Sequence, residues 1–220
     1  MSPDLADHYP TSASMRADLI VHVVGLGFAV IGGAMLLALA LGQGTLTQAA
    51  AILVYVAGFV AMLALSLAYN FSRQRWRAIL RRLDHAAIFV MIAGSYTPFT
   101  TQRLHGAWAW GMTAAVWALA LAGVAGKLFL PGLGRRFWIG LYLGLGWLSL
   151  VALRPLIGAV PWVALALLAA GGLVYSTGAM IYVLEKLKFR RAIWHGHVVV
   201  ASALQFVAVL VGVVLAPGTG

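Results

Sequence analysis

The chain has 220 residues, of which 63% are hydrophobic and only 9% are charged, and its formal net charge is +10. This composition excludes an ordinary soluble domain, in which about a quarter of the residues are charged. The lack of cysteine excludes disulfides and thiolate metal ligands, so any metal would be held by histidine, carboxylate or amide groups.

Seven apolar runs are candidates for crossing a bilayer. A helix that spans roughly 30 Å of hydrocarbon needs about 20 residues at about 1.5 Å each. The runs are continuously apolar rather than alternating, which predicts helices and excludes a transmembrane barrel. They extend over Leu19–Leu41, Gln48–Phe71, Asp84–Thr100, Ala107–Leu130, Phe137–Val151, Pro161–Leu184 and Ala192–Ala216. The sequence therefore predicts an all-α membrane protein, a seven-transmembrane helix bundle.

The seven runs define one transmembrane domain over residues 19–216. A short polar arm of residues 1–18 precedes it and a short tail of residues 217–220 follows it. The arm lacks the apolar core of a cleavable signal peptide. Between the fifth and sixth runs, Arg154, Pro155 and Pro161 interrupt the apolar pattern, which leaves that helix boundary open.

The basic residues are concentrated on alternate loops. Thirteen of the fifteen lie on the arm and on the second, fourth and sixth loops, against Arg103 and Arg154 on the opposite side. Because basic loops are retained in the cytoplasm, we predict a cytoplasmic N-terminus, an outer C-terminus and a multi-pass protein of the plasma membrane. Such loops attract anionic lipid headgroups, at about 1 kcal/mol per basic residue. The expected partners are membrane lipids and not nucleic acid, since no reading motif accompanies the basic loops, and the oligomeric state stays open.

Polar side chains are concentrated near the predicted cytoplasmic ends of the helices. An ionisable group inside an apolar transmembrane run is a candidate functional residue. Several of these residues are spaced four apart, which places them on one helix face. The set comprises Asp18 and His22 on helix one, Ser66 and Asn70 on helix two, Asp84 and His85 on helix three, and Arg191 and His195 on helix seven.

Single members of this set also have simpler explanations. Asp84 could serve as the N-cap of the third helix or complement its dipole. His22 or His85 alone is typical of a packed, hydrogen-bonded histidine, and His8 in the arm is expected to be solvated. The functional interpretation therefore depends on whether these side chains meet in the folded bundle.

Four segments carry a resemblance to a known family. They are LDHAAIFVMIAGSYTPF at 83–99, SLAYN at 66–70, YSTGAMIYVL at 175–184 and AIWHGHVVVASALQF at 192–206. On these segments the chain resembles the progestin and adipoQ receptor (PAQR) superfamily, which includes the adiponectin receptors, in its bacterial hemolysin III branch. The resemblance implies a seven-helix fold with a cytoplasmic N-terminus, in agreement with the charge pattern.

The resemblance also implies a zinc site near the cytoplasmic face. In the family, a Ser-x-x-x-His pattern on helix two and a His-x-x-x-His pattern on helix seven supply three ligands, and an Asp at the start of helix three holds the metal-bound water. Position by position, the Ser is Ser66 and the Asp is Asp84, which makes both candidate catalytic residues. Asn70 and Arg191 stand at two of the three ligand positions, and only His195 is retained.

These two substitutions predict a degraded zinc site, because an amide oxygen is a poor zinc ligand and an arginine cannot coordinate. We hypothesise that the Arg191 guanidinium takes over the electrostatic role of the metal and pairs with Asp84. The remaining hydrogen bonds of this pair would come from Asn70, Ser66 and His195. The alternative is a metal gathered by His22, Asp84, His85 and His195, so the cofactor stays open.

Two classes of function follow. The altered ligands favour a non-enzymatic membrane protein, a membrane-homeostasis, sensor, channel-like or lipid-binding bundle that kept the fold and lost the metal chemistry. The alternative is a zinc-dependent, ceramidase-like hydrolase of lipid amides or esters, in which Asp84 and a metal-bound water attack the substrate. Chelator-sensitive turnover that depends on Asp84 would favour the hydrolase.

Overall fold

The computed structural model describes residues 8–130, 132–184 and 187–216, and the regular elements within these ranges are helical. The first four helices are α1 (Ser12–Gln43), α2 (Leu46–Phe71), α3 (Gln74–Gln102) and α4 (Gly106–Phe129). Short turns join them, and each packs against the next, as in other bundles with short connections.

The second half of the bundle contains a broken span and two long helices. The broken span consists of α5 (Arg135–Gly146), a 3₁₀ segment (Leu148–Ala152) and α6 (Leu153–Ala159). It is followed by α7 (Trp162–Val183) and α8 (Arg190–Val209), and a π-helical turn (Leu210–Val214) extends α8. Pro155 lies in the first turn of α6, where the missing N–H needs no partner. At the boundary left open by the sequence, residues 153–159 therefore continue the broken span, and the next helix begins after Pro161.

Six segments in the described ranges are long and apolar enough to cross a membrane. They are Ser12–Gln43, Leu46–Phe71, Gly106–Phe129, Arg135–Ala159, Trp162–Val183 and Arg190–Val214. Helix α3 is not among them, and its first turns carry Arg75, Arg77, Arg81 and Arg82. The all-helical fold class predicted from the sequence is confirmed.

Two helices begin well before the apolar runs that predicted them. Helix α1 begins at Ser12 rather than Leu19, because Thr11 and Ser14 form a reciprocal capping box. Helix α3 begins at Gln74 rather than Asp84, since the basic segment before Asp84 is itself helical. Asp84 therefore lies inside α3, and the N-cap role considered for it is wrong.

Two glycines set the close packing of α2 and α3. A Cβ atom on Gly94 would lie 3.3 Å from the carbonyl oxygen of Val54, and one on Gly58 would lie 3.4 Å from the Cα of Met91. Both contacts are with backbone atoms, which cannot move aside as a flexible side chain could. Small residues at helix crossings are typical of membrane bundles, where close backbone approach supplies the attraction.

Candidate functional site at the basic end of the bundle

The chain has five acidic residues, and the two that the structure describes, Asp18 and Asp84, are both buried. Asp18 is 0% exposed on α1 and Asp84 is 8% exposed on α3. Both are near the same side chain, His195 of α8. Because a buried carboxylate must be compensated by donors or cations, the groups around this pair define the candidate site.

Asp18 accepts hydrogen bonds from two separate segments. The Tyr9 hydroxyl donates to Oδ2 at 2.5 Å, and Nδ1 of His195 donates to Oδ1 at 2.6 Å. Such short distances are typical of hydrogen bonds to an ionised acceptor. The carboxylate on α1 is thereby bonded both to Tyr9, which precedes α1, and to His195 of α8.

His22 and His195 both direct a ring nitrogen at Ser66 of α2. The Nδ1 atom of His22 donates to the carbonyl oxygen of Asp18 at 2.8 Å, and Nδ1 of His195 is used by the Asp18 carboxylate. When either ring is neutral, its lone pair is therefore on Nε2. These Nε2 atoms lie 3.1 Å and 3.4 Å, respectively, from the Ser66 hydroxyl oxygen. The single proton of Ser66 thus faces these two nitrogens as well as the Asp84 carboxylate.

Asn70 and Arg191, which replace two family zinc ligands, contact each other directly. The Oδ1 atom of Asn70 accepts from Nη1 of Arg191 at 3.2 Å and from Nε2 of His8 at 3.1 Å. The Asn70 amide nitrogen donates to the backbone carbonyl of Ser66 at 2.9 Å and lies 3.4 Å from the Ser66 hydroxyl. Asn70 therefore links the guanidinium to the serine.

His8 and Tyr9, which lie just before α1, close the site from outside the bundle. Nδ1 of His8 accepts from Nη2 of Arg191 at 3.4 Å, and the Arg191 guanidinium lies 5.7 Å from the centre of the Tyr9 ring. Burial and the nearby cations Arg191 and Arg77 lower the pKa of His8 to about 4, although Asn70 and Asp18 act in the opposite direction. Burial, followed by the charge of Asp18, raises the pKa of Tyr9, so its hydroxyl stays protonated.

Asp84 faces the same serine from α3. The Ser66 hydroxyl and the charges of His195, Arg191 and Lys127 act on its carboxylate. The neighbouring His85 is directed elsewhere, since its Nδ1 accepts from the Lys127 ammonium at 3.3 Å. Asp84 thus belongs to the site, whereas the His85 ring belongs to its outer wall.

A cavity of about 430 Å³ opens beside these residues. Its lining includes five basic side chains near the ends of their helices, and this basic end of the cavity is called the mouth: Arg81, Arg82, Lys127, Arg135 and Arg191. Ser66, Asn70, Asp84 and His195 line the wall beyond the mouth. The interior is lined largely by apolar and aromatic side chains, among them Ile88, Met91, Ile92, Trp138, Leu143, Ala179 and Val198. Ser95 and Gln205 also line it. Ser95 lies eleven positions after Asp84 on α3, so the lining extends about 16 Å along this helix.

The predicted set converges only in part. His22, Asp18, Ser66, Asn70, Arg191 and His195 form one hydrogen-bonded network, and Asp84 faces it. The hypothesised direct pair of Asp84 with Arg191 is wrong, because no hydrogen bond or ion pair joins these two side chains, both of which lie in the described part of the chain. The guanidinium is instead directed at Asn70 and His8.

Sequence reasoning missed two members of the network. Tyr9 is 2% exposed, and His8, which was expected to be solvated, is partly buried against Arg191. Neither residue lies in an apolar run or at helical spacing from the other candidates. The one available signal was the Thr11–Ser14 capping box, which places the start of α1 directly after them.

The family zinc site does not fit the residues present. Arg191 is permanently cationic, and the Asn70 oxygen already accepts two hydrogen bonds. Ligand atoms of Asp18, His22 and His195 do lie within 4.8 Å of one another. However, ligands at 2.0–2.1 Å from a tetrahedral zinc lie about 3.3 Å apart, whereas Asp18 and His195 are hydrogen-bonded at 2.6 Å. Nδ1 of His22 is likewise committed to a backbone carbonyl.

The fold and site define a multi-pass α-helical membrane protein with a buried polar network and a cavity at its basic end. Residues 16–206 match the haemolysin-III related family, and the chain belongs to this family. It is 36% identical over 198 residues to Hemolysin-3 of Bacillus cereus, covering 88% of this chain and 89% of that protein. It is 32% identical over 198 residues to the Hemolysin-3 homolog of Bacillus subtilis (strain 168), covering 88% and 92%, respectively. The resemblance noted in the sequence is confirmed.

Proposed function

We propose that this protein is a seven-span protein of the plasma membrane, with a cytoplasmic N-terminus, that binds a single-chain anionic amphiphile in its cavity. In this proposal the Arg191–Asn70 pair stands where the family resemblance implies zinc. The observation that carries it is the cavity of about 430 Å³ that joins a basic mouth to an apolar interior. Zinc chemistry has no part in this binding.

Two features support α3 as the seventh span. Its 29 residues correspond to about 43 Å, more than the roughly 30 Å of a hydrocarbon core. Its second half is deeply packed, with Phe89, Met91, Ala93 and Phe99 each at most 4% exposed. The arginines of its first turns would then lie at the headgroup level, on the side where basic residues are retained.

The lining of the cavity supports an anionic single-chain ligand. The volume is within the range of small-molecule sites, about 300–1,000 Å³, and the apolar walls suit an acyl chain. The five basic side chains at the mouth suit a carboxylate or phosphate headgroup, which arginine recognises with paired donors. A long-chain fatty acid has both parts.

Binding of a fluorescent long-chain fatty acid to the purified protein in detergent tests this proposal. Gly146 lines the cavity, and the space around its Cβ position is open, so Gly146→Phe should obstruct the cavity and weaken binding at least tenfold. Gly140 lies on the same helix with equally open surroundings but does not line the cavity. Gly140→Phe is therefore the matched control and should bind as the wild type does.

The mouth is tested separately from the interior. Replacing Arg81, Arg82 and Lys127 by Gln should weaken binding of the fatty acid but leave binding of the corresponding uncharged alcohol unchanged. Absence of fatty-acid binding, or equal loss with both glycine variants, would refute the proposal. Hydrolysis of a lipid amide that is lost both with chelator and in Asp84→Asn would instead favour a zinc-dependent hydrolase.

A further inference from the structure

We propose that Ser66, His195 and Asp18 form a metal-free acyl-transfer triad, which hydrolyses acyl esters whose chain occupies the cavity. This inference rests on the proposed amphiphile binding and adds a covalent reaction to it. It assigns Ser66 as the nucleophile, His195 as the general base and Asp18 as the residue that positions the base.

The three side chains have the connectivity that nucleophilic catalysis by serine requires. Nδ1 of His195 donates to Asp18 Oδ1 at 2.6 Å, which fixes the tautomer and leaves the lone pair on Nε2. This Nε2 lies 3.4 Å from the Ser66 hydroxyl oxygen, a distance usual for a site without substrate. The three residues come from α2, α8 and α1, so their alignment is a property of the fold and not of local spacing.

His22 is also close to Ser66, but its position is different in one respect. Its Nδ1 donates to the neutral carbonyl of Asp18 at 2.8 Å and lies 3.8 Å from the carboxylate, whereas Nδ1 of His195 lies 2.6 Å from the carboxylate. The charge that develops when an imidazole takes a proton is therefore better stabilised on His195. The structure assigns the base role to His195 on this ground.

The residues that remove the zinc ligands supply donors for the reaction. The amide nitrogen of Asn70 lies 3.4 Å from the Ser66 hydroxyl and has two hydrogens, only one of which is used by the Ser66 carbonyl. Its other hydrogen is available near the Ser66 hydroxyl, and we assign it as the donor to an oxyanion formed on Ser66. Arg191 holds the Asn70 oxygen at 3.2 Å and so orients this donor.

The reaction balances without any external reagent. The Ser66 oxygen attacks the acyl carbon while its proton moves to Nε2 of His195, and the tetrahedral oxyanion accepts from Asn70. The ester C–O bond then breaks, and the leaving alkoxide takes the proton from His195. Water attacks the acyl-serine, gives one proton to His195, and releases the fatty acid as that proton returns to the Ser66 oxygen.

The cavity determines the class of substrate. Ser66, His195 and Asn70 all line its wall, between the basic mouth and the apolar interior. An acyl chain in the interior places its first carbonyl at this wall and its alcohol at the mouth. The mouth is basic, so an ester of an alcohol that carries a phosphate, such as an anionic lysophospholipid, is the expected substrate.

Labelling with a short-chain fluorophosphonate tests the nucleophile. The purified protein should form one adduct, mapped to Ser66 by peptide mass spectrometry and unaffected by EDTA. Ser66→Ala should abolish it, and His195→Gln should slow it at least tenfold. Ser202→Ala should label normally, because this buried serine is bonded to Tyr175 and does not line the cavity. Absence of a Ser66 adduct, or slowing by His22→Gln rather than His195→Gln, would overturn the assignment.

A single-cysteine variant gives an independent test that remains valid if Ser66→Ala is poorly folded. The chain has no cysteine, so Ser66→Cys and Ser95→Cys each introduce a unique thiol. Both serines line the cavity, at 6% and 8% exposure. Iodoacetamide should alkylate Cys at position 66 at least tenfold faster, and His195→Gln should remove the difference. Equal rates in the two variants would overturn the inference.

The positioning role of Asp18 has its own readout. In hydrolysis of a p-nitrophenyl ester, Asp18→Asn should lower kcat by about 10²-fold or more with little change in KM, as expected when a base loses its tautomer partner. A rise in KM alone would contradict the role. If the wild-type protein binds fatty acid but is not labelled at Ser66, the triad alone is rejected. If it is labelled at Ser66 but does not bind fatty acid, the amphiphile proposal is rejected and the serine nucleophile is not.

Discussion

Removing the hydroxyl of Tyr9 isolates one hydrogen bond of the buried network. In Tyr9→Phe the ring can keep its stacking on Phe71, at 5.7 Å between centroids, and its contact with His8. What is lost is the 2.5 Å hydrogen bond to Asp18. The loss of unfolding free energy in Tyr9→Phe therefore measures the hydrogen bond between Tyr9 and the Asp18 carboxylate, with little change in buried apolar area.

The expected magnitude depends on whether Asp18 is ionised. A hydrogen bond to a charged acceptor contributes about 1.5–3 kcal/mol, whereas neutral hydrogen bonds within membrane bundles average about 0.6 kcal/mol. Because Asp18 accepts short hydrogen bonds from both Tyr9 and His195, which stabilise the carboxylate against the cost of burying its charge, we expect the ionised form and a loss of about 1.5 kcal/mol or more.

Tyr55 provides a matched control. It is 0% exposed, and its hydroxyl has no hydrogen-bond partner among the residues that the structure describes. A buried hydroxyl without a partner carries an uncompensated desolvation cost. Tyr55→Phe should therefore leave the free energy of unfolding unchanged or raise it by up to about 1 kcal/mol, opposite in sign to Tyr9→Phe.

Reversible unfolding in mixed micelles of mild detergent and sodium dodecyl sulfate, followed by tryptophan fluorescence, measures both changes. The chain has eight tryptophans, which provide the signal. A Tyr9→Phe loss below about 0.6 kcal/mol would refute an ionised, tightly bonded Asp18. Equal losses of unfolding free energy in Tyr9→Phe and Tyr55→Phe would show that a hydrogen-bond partner for the hydroxyl does not determine the effect.

Three further predictions concern the metal, the helix packing and the arm. The double variant Asn70→His and Arg191→His should bind about one zinc per chain by elemental analysis, whereas the wild type should bind none. A zinc content of about one per wild-type chain would contradict the metal-free network. Gly94→Val should destabilise the bundle by about 1–3 kcal/mol in the same unfolding assay, whereas Gly27→Ala, with nothing within 4 Å of its Cβ position, should not. His8 has a folded-state pKa of about 4, below its unfolded value of 6.5, so the folded state should lose stability as pH falls from about 6.5 toward 4. His8→Gln should reduce this loss; an unchanged pH profile in that variant would assign it to another group.

The sequence was sufficient for the class of protein because apolar length and charge asymmetry are local properties. The faces of the helices were also predictable. Ser66 and Asn70 do share a face of α2, as their spacing indicated, and Asn70 bonds to the Ser66 carbonyl one turn earlier. Helix starts were less predictable, since the polar first turns of α1 and α3 are helical without being apolar.

The partners within the site could not be read from spacing. The Asp18–His195 hydrogen bond joins residues 177 positions apart, and its existence depends on how α1 and α8 are rotated in the bundle. The same applies to Arg191, for which the sequence suggested Asp84 as the partner by charge alone. In the fold, Asn70 and His8 lie nearer to the guanidinium, and Asp84 acts on it only through its field.

The two substitutions at the zinc positions are best understood as one coupled change. The Asn70 oxygen accepts from Arg191 at 3.2 Å, so each residue supplies the other with a hydrogen-bond partner in addition to His8. Histidine at position 70 alone would take away an acceptor from a permanent cation, and histidine at 191 alone would leave the amide oxygen with His8 as its remaining donor. Neither single reversal completes the set of three zinc ligands to which His195 belongs. We therefore expect the chain to be more stable with both substitutions than with either one, with Arg191 directed at Asn70 and His8 and the Asn70 amide nitrogen directed at Ser66.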